Sequence, residues 1–287
     1  MTNQAIDVTV LVPTFNEQDN LRDCLACLTW ADQIIVVDSF STDRTPEIAR
    51  ELASEVYQHE YVNSATQKNW ALRNLPIRGR WTMIVDADER VTPELADEVR
   101  HVVSEDDPTH VGYFVNRRNY FFGKWVRRGG MYPNWNLRLF RTGQACYEDK
   151  EVHADVAILG EGRVGYLAQD MEHYSYRTIS EFLRKLDRYT TWDARERLKS
   201  QHDDRAVSAG RLGSLRLSLR RLYWALPGKP AICFLHRYIA QRGFLDGRHG
   251  LAVAGLYAFE EFVIGAKMWE QRSVTLGGVE ERSAHRG

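Results

Sequence analysis

The sequence contains little cysteine and almost no net charge, and both shortages exclude classes of protein. Four cysteines occur in 287 residues, and the pair Cys24 and Cys27 has no second pair to complete a zinc site. This pair lies within an apolar pattern of leucines at 21–28, which is typical of buried thiols in a reducing compartment. A formal net charge of −1 provides no overall electrostatic field for nucleic acid, so no nucleic-acid partner is expected.

Long apolar runs and glycine-rich phosphate loops are also missing. The N-terminus, MTNQAIDVTVLVP, lacks the basic start and apolar run of a signal peptide, which predicts a cytoplasmic protein. The most apolar part of the C-terminal region, 251–266, contains Glu260 and Glu261 and is shorter than the roughly 20 residues that cross a bilayer. No Walker loop is present, and GEGRVG at 160–165 is not followed by a helical pattern, so dinucleotide chemistry is not expected.

Apolar, strand-like runs alternate with helical patterns through the first hundred residues. The predicted strands lie at 8–12, 34–37, near residue 56 and at 81–85, and the predicted helices lie at 21–30, 45–52, 64–75 and from 92 onward. Thr45, Ser64 and Thr92 are predicted to cap helices. The alternation predicts an α/β fold whose mostly parallel sheet is covered on both faces. From 111 to 176, short alternating segments separated by Gly, Asn and Pro predict antiparallel additions.

The C-terminal third differs in composition from the rest. A long amphipathic helix is predicted to open with a capping box from Thr178 to Glu181, and a polar stretch after residue 200 predicts a linker. We therefore expect a globular domain at 1–200 and a helical, amphipathic tail at 201–287. Between 205 and 248 the tail has nine Lys and Arg residues against one acid. Such a tail is typical of helices that bind an anionic membrane surface. The alternatives are a helical cap on the globular domain and a homo-oligomer contact.

Three crowded carboxylates end the predicted strand in WTMIVDADERV. Asp86, Asp88 and Glu89 follow apolar residues directly, where like charges repel and desolvation is costly. In an extended segment Asp86 and Asp88 point the same way. Mg²⁺ or Mn²⁺ prefers one or two such carboxylates, with phosphates and water completing its shell. The pattern predicts a divalent metal site, and a solvated turn is the alternative. Asp38 ends a second strand, and ligands of open α/β sheets bind beyond such strand ends.

Four motifs, which include the two acidic strand ends, occur in a fixed order: VLVPTFNE at 10–17, VVDSFSTDRT at 36–45, QKNWAL at 67–72 and VDADE at 85–89. Together with RLFR at 138–141, the VH pair at 152–153 and HYSYRTISEFLRKLDRYTTW at 173–192, they resemble the glycosyltransferases of family 2. The similarity is strongest to the branch that adds sugars to the lipopolysaccharide core. It spans about Val8 to Leu198, and it implies the Rossmann-like GT-A fold.

The resemblance also implies roles for individual residues. The nucleotide pocket would be lined by Pro13, Thr14, Asn16 and Glu17, and Asp38 would bind the base. Lys68 would approach the donor phosphates. Asp86 would contact the ribose or the metal, and the metal would be bound by Asp88 and His173. Two alternatives stay open here. Asp38 is also a suitable turn residue, and His173 is also a suitable hydrogen-bonded histidine at a strand end.

The implied activity is an inverting, metal-dependent transfer of a sugar, with a UDP-sugar as the preferred donor. The implied acceptor is a membrane-borne glycan or glycolipid, such as lipopolysaccharide core, at the cytoplasmic face of the inner membrane. The alternatives are a polyprenyl-phosphate acceptor, whose ionised phosphate needs no base, and a non-catalytic relative that binds sugar nucleotides or glycans. Arg138 and Arg141 are candidates to meet acceptor phosphates, and exposed arginines on a β-ribbon are the equal alternative.

The general base is the open position in this comparison. An inverting transfer needs a group that takes the proton from the acceptor hydroxyl. Members of the family have Val-His-Glu after RLFR, whereas this chain has Val-His-Ala-Asp at 152–155. Asp155 and Asp149 are therefore the candidate bases, with Glu148 as a further alternative.

Overall fold

A computed structural model describes residues 6–148, 155–206 and 228–284, without the side chains of 200–206 and 274–284. The strands are β1 Val8–Thr14, β2 Gln33–Asp38, β3 Glu55–Gln58, β4 Trp81–Ile84, β5 Glu89–Val91, β6 His110–Phe121, β7 Lys124–Trp125, β8 Trp135–Arg141, β9 Ala145–Tyr147, β10 Val156–Ile158 and β11 Arg163–Tyr176. The helices are α1 Leu21–Ala26, α2 Thr45–Leu52, α3 Ser64–Asn74, α4 Pro93–Glu105, α5 Ile179–Ala206, α6 Lys229–Leu235 and α7 Arg248–Ala284. A π-helical turn (His236–Ala240) and a 3₁₀ turn (Gly243–Asp246) lie between α6 and α7.

One large mixed sheet organises the first part of the chain. Its strand order is β3-β2-β1-β4-β8-β6-β11-β5, and β7 pairs with β6. The block from β3 to β4 is parallel, β8 runs antiparallel to β4 and β6, and β5 runs antiparallel to β11. The predicted α/β class, with a parallel sheet and antiparallel additions, is confirmed. One strand pair in the region predicted to be antiparallel is parallel, since β11 runs in the same direction as β6. The chain reverses once into β8 and again before β11, so that β6 and β11 share a direction.

Both faces of the parallel block are covered, as the sequence predicts. On β1, Val8, Val10 and Val12 join a buried cluster that includes residues of α1 and α4. Leu11 points to the other face and joins a second cluster with residues of α3. Because strand side chains alternate, a central strand such as β1 contributes side chains to the clusters on both faces of the sheet.

Side-chain caps define the starts of two helices. Thr92 accepts a hydrogen bond from the Leu95 amide at 3.2 Å, which confirms it as the N-cap of α4. The predicted cap of α3 is wrong by one residue. Asn63, rather than Ser64, accepts from the Thr66 amide at 2.8 Å. Asparagine is as good an N-cap as serine, and Ser64 is the first helical residue.

The Thr45 hydroxyl binds the loop after β1 and does not cap its own helix. Thr45 is the first residue of α2, which has no side-chain cap, and its hydroxyl accepts from the Glu17 amide at 2.8 Å. The predicted capping role of Thr45 is therefore wrong, because the loop after β1 uses the hydroxyl instead. Helix α1 is also shorter than predicted, since 27–30 form turns.

The chain divides into two compact units. The first comprises Met1–Arg127 with Met131–Arg177, and the second comprises Arg128–Gly130 with Thr178–Gly287. Helix α5 belongs to the second unit and continues to Ala206, past the boundary predicted at residue 200, because QHDDRA contains no helix breaker. The rest of the predicted linker lies outside the described residues.

The second unit is helical. The Thr178 hydroxyl accepts from the Glu181 amide at 3.1 Å, as expected for the start of α5. Arg197 on α5 makes two hydrogen bonds to Glu261 on α7, at 2.9 and 2.8 Å. Ala194, Ile264 and Met268 form a small buried cluster. None of the helices in the described part of the chain combines the length and the apolar character needed to cross a membrane.

Candidate active site

The sheet brings the predicted site residues to one edge. Thr14 at the end of β1 is the register partner of Asp38 at the end of β2. On the other side of β1, Leu11 pairs with Ile84, so that Asp86 follows the end of β4. Because parallel strands end at the same edge of a sheet, these polar residues cluster there although they are distant in sequence.

Side-chain cations neutralise Asp86 and Glu89 after β4. Lys68 Nζ lies 2.8 Å from Asp86 Oδ1, and Arg138 Nη2 lies 2.5 Å from Asp86 Oδ2. Arg138 also pairs with Glu89, which is fully buried. Arg117 Nη1 lies 3.3 Å from Glu89 Oε1. The crowding that the sequence predicts a metal ion to relieve is therefore offset largely by the protein itself.

These contacts fix the charge states of the cluster. Burial alone would raise the pKa of the Asp86 carboxyl, but the attraction of Arg138 and Lys68 holds it well below its usual range. Burial would lower the pKa of the Lys68 ammonium, but the attraction of Asp86 raises it. The pKa of Arg138 is likewise raised, against the effect of its burial, by Asp86 and Glu89. All three groups are charged at neutral pH, and a carboxylate with so low a pKa is too weak a base to take the proton of an acceptor hydroxyl.

The third carboxylate, Asp88, faces a histidine. His173 Nε2 lies 3.5 Å from Asp88 Oδ2, and both side chains are mostly buried. The other ring nitrogen, Nδ1, lies 2.8 Å from Asn119 Oδ1 and 3.0 Å from Ser175 Oγ. Because Asn119 Oδ1 is an acceptor, we assign the proton to Nδ1, which leaves the Nε2 lone pair facing the carboxylate.

This pair fits a divalent cation. A metal-bound histidine usually donates its second ring nitrogen to a neighbouring acceptor, as His173 does to Asn119. Two ligands of one ion lie about 3 Å apart, close to the separation of the Asp88 and His173 donor atoms. Within 6–148, 155–206 and 228–284, no group of three or more His, Cys, Asp or Glu side chains could hold a metal ion.

The loops after β1 and β2 are tied together by hydrogen bonds. The Asn16 amide donates to Ser41 Oγ at 2.8 Å, and the Thr42 amide donates back to Asn16 Oδ1 at 2.9 Å. Asn16 has a φ of 53°, in the left-handed region that asparagine tolerates better than most residues. The Glu17 amide binds the Thr45 hydroxyl. Asn16 and Glu17 are therefore held at the predicted nucleotide pocket by reciprocal bonds.

Asp38 and Thr14 are both buried between these loops. The Asp38 carboxylate accepts from the Ser41 amide at 3.1 Å and from Gln58 Nε2 at 3.2 Å, so it organises the turn after β2. Thr14 Oγ1 is buried, and none of the described residues gives it a hydrogen-bond partner. A buried hydroxyl without a partner is costly, and a bound ligand would relieve that cost. Pro13 precedes it and is half-buried.

The structure describes one of the two candidate bases. Asp155 is exposed, and its carbonyl oxygen accepts from the Glu148 amide at 2.9 Å. The Asp155 side chain forms no hydrogen bond or ion pair with the described residues of the acidic cluster. Asp149 lies outside the described residues, as does Ala154 at the position of the missing glutamate.

Arg138 is the functional residue that the sequence analysis misplaced. The alternative of an exposed arginine on a β-ribbon is wrong, because the Arg138 side chain is 5% exposed and paired with Asp86 and Glu89. A side chain so placed is not available to acceptor phosphates at the surface. A signal was present in the sequence. In β8, Arg138 shares the strand side of Phe140, which is fully buried. Arg141 instead donates to the main-chain carbonyl of His110 at 2.9 Å.

Comparisons with known proteins agree with the motifs. The family model described as Glycosyl transferase family 2 matches residues 9–161. The Lipopolysaccharide core biosynthesis glycosyltransferase LpsC of Rhizobium meliloti (strain 1021) is 27% identical over 276 residues, covering 94% of each chain. An uncharacterized glycosyltransferase of Rickettsia typhi is 23% identical, covering 92% of this chain and 87% of its own. The solved structure of S. aureus TarS 1-349 in complex with UDP is 16% identical, covers 92% of this chain and 91% of its own, and has a TM-score of 0.44.

Proposed function

The chain belongs to glycosyl transferase family 2, and from that membership we propose that it moves a hexose from a UDP-sugar to a membrane-borne glycan or glycolipid. The proposed acceptor class is lipopolysaccharide core, which is what the name of the Rhizobium relative states for that protein. The observation that carries the proposal is the Asp88–His173 pair at the edge of the sheet where β1, β2 and β4 end.

We propose that Asp88 and His173 hold Mg²⁺ or Mn²⁺ together with the donor diphosphate. When bound, such an ion neutralises charge on a departing diphosphate. Lys68, which is paired with Asp86, contributes a fixed positive charge near the donor diphosphate. Thr14 Oγ1 supplies a hydrogen-bonding group to the nucleotide, and the Asn16 and Glu17 loop shapes the pocket. Transfer to a hydroxyl with inversion requires a base, for which Asp155 and Asp149 remain the candidates.

A polyprenyl-phosphate acceptor is the second candidate. Its attacking oxygen is already ionised, so no base is needed. The exposed position of Asp155 and the alanine at 154 are the observations that support this second candidate.

The test is a donor-turnover assay on the full chain. We expect UDP release from at least one of UDP-glucose, UDP-galactose and UDP-N-acetylglucosamine, raised at least about tenfold by Mn²⁺. A truncated lipopolysaccharide core or a polyprenyl phosphate, added separately, should stimulate release, and the stimulating acceptor identifies the acceptor class. Measurable UDP binding without UDP release under every condition would instead support a non-catalytic sugar-nucleotide-binding protein.

We also propose that the second unit attaches the enzyme to the cytoplasmic face of the inner membrane. Large apolar side chains are exposed from the end of α6 to the start of α7: Leu235, Ile239, Phe244, Leu245 and Leu251. Arg242 and Arg248 lie among them in sequence. Exposed apolar side chains interspersed with cations suit an anionic lipid surface better than water. A homo-oligomer contact through these helices is the competing outcome.

Vesicle sedimentation tests this attachment. We expect the protein to bind phosphatidylglycerol vesicles and not phosphatidylcholine vesicles. The F244E/L245E double variant should bind at least about tenfold more weakly, because two exposed apolar side chains that would enter the lipid surface are lost and two negative charges are added. The matched control, I179E/L183E, changes two exposed apolar residues of α5 and should bind normally. Equal loss in both double variants, or no vesicle binding by the unmodified protein, would contradict the proposal.

A further inference from the structure

The first unit contains a cavity beside the acidic cluster of Asp86, Asp88 and Glu89. Its volume is about 540 Å³, within the range of small-molecule sites. The lining is formed by residues of the α1 start, β5, β6, the turn after β6, and the end of β11: Asp19, Asn20, Asp23, Arg90, Tyr120, Phe122, Gly123, Tyr174, Tyr176 and Arg177. The proposed nucleotide and metal residues are not part of this lining.

Two tyrosines give the cavity a rigid aromatic wall. The rings of Tyr120 and Tyr174 stack with centroids 4.8 Å apart and planes within 17°. Both hydroxyls donate to Glu172, at 3.2 Å from Tyr120 and 2.9 Å from Tyr174. Glu172 therefore holds both rings in place. The Arg90 guanidinium lies over the Tyr174 ring, 5.5 Å from its centroid, so this wall combines aromatic and cationic groups.

The polar part of the lining is balanced in charge. Arg90 lies 3.5 Å from Asp23 and donates to the Asn20 carbonyl at 2.9 Å. Arg177 donates to the carbonyl of Asp19 and to the Asn20 side chain. The lining thus contains two guanidinium groups, two carboxylates and an amide, and one guanidinium pairs directly with a carboxylate. Such a rim offers donors and acceptors at short range without a net field, which suits a neutral polyhydroxyl ligand better than a phosphate.

The cavity shares a strand with the candidate metal pair. On β11, His173 and Ser175 contact each other on one side of the strand, whereas Tyr174 and Glu172 contact each other on the other side. The Tyr174 amide also donates to the Asp88 carbonyl at 2.8 Å. One residue step therefore separates the cavity from the proposed catalytic groups.

We propose that this cavity binds a neutral sugar ring of a glycan, with the ring against Tyr120 and Tyr174 and its hydroxyls on the Asp23, Asn20 and Arg90 rim. The apolar C–H face of a pyranose packs on a flat aromatic surface, and paired acids and amides bind vicinal hydroxyls. The site is separate from the nucleotide pocket. It does not depend on whether the chain turns over a donor.

Saturation-transfer NMR on the full chain, with UDP and Mg²⁺ present in excess, tests the site. The probes are methyl glycosides of glucose, galactose and mannose and a dephosphorylated core oligosaccharide. We expect at least one probe to bind with the nucleotide pocket filled. Tyr174→Leu and Tyr120→Leu should each weaken that binding about tenfold, because each removes one aromatic surface. Tyr166→Leu is the matched control, since Tyr166 is an exposed tyrosine of β11 outside the cavity lining.

Two further measurements make the result decisive. UDP binding must be retained in each leucine variant, which shows that the first unit is folded. Tyr174→Phe keeps the ring and should lose less than about threefold in affinity. Three results would each overturn the proposal: no probe binds, UDP displaces the probe, or the leucine variants bind as well as Tyr166→Leu. Binding of glucose 6-phosphate much tighter than of methyl glucoside would identify an anion site and would overturn it as well.

Discussion

Replacing Asp88 with asparagine is expected to lower the Mn²⁺-dependent rate of UDP release by about two to three orders of magnitude. Asp86 and Glu89 are already paired with Lys68, Arg138 and Arg117. Asp88 Oδ2 faces His173 Nε2, so its carboxylate is placed to share a cation with that nitrogen. Asparagine keeps the size of the side chain and removes only its charge.

The same variant should also lose Mn²⁺ binding in the presence of UDP, measured by electron paramagnetic resonance without any turnover. His173→Gln should weaken binding less, because the carboxylate remains. Asp97→Asn is the control, since Asp97 is an exposed carboxylate on α4 that pairs with Arg100. An Asp88→Asn protein with the Mn²⁺ dependence of Asp97→Asn would remove Asp88 from the proposed role.

The sequence located the edge of the sheet where the site lies. Apolar runs ending in Asp38 and Asp86 identified two strand ends, and a parallel sheet places such ends together. Local patterns could not show which cations meet these acids. Arg138 comes from β8, which pairs with β4 only in the folded sheet. Residues about fifty positions apart in the chain meet only in the folded sheet, so the sequence could not predict this charge compensation. It predicted crowded carboxylates and offered a metal ion or a solvated turn as their relief.

The tyrosine cavity shows a second limit of the sequence. Tyr120 and Tyr174 are 54 residues apart, and the β6–β11 pairing places them side by side. The sequence analysis predicted only antiparallel additions in this region, so it gave no register for that pair. Short alternating segments specify strands well but specify partners poorly, because many registers satisfy the same alternation.

Replacing Arg138 with methionine is expected to lower the free energy of unfolding by about 3–5 kcal/mol at neutral pH. The change leaves Glu89, which is fully buried, with Arg117 as its remaining cation, and it leaves Asp86 with Lys68 alone. Urea denaturation measures the loss. Arg80→Met is the matched control, because Arg80 also bridges two acids, Asp7 and Asp106, but its side chain is 54% exposed. Exposed ion pairs contribute little, so the control should lose less than about 1 kcal/mol.

The pH dependence separates a lost ion pair from a packing defect. The pKa of Asp86 is depressed in the folded protein, so its ion pairs stabilise the fold above the unfolded pKa of about 3.9, and this stabilisation is lost as the pH falls toward the folded value. Arg138→Met removes much of that depression. The stability difference between the unmodified protein and Arg138→Met should therefore be largest above about pH 5 and shrink as the pH falls below 4. A packing defect would give the same difference at every pH, and a loss no larger than that of Arg80→Met would show that Arg138 does not stabilise this cluster.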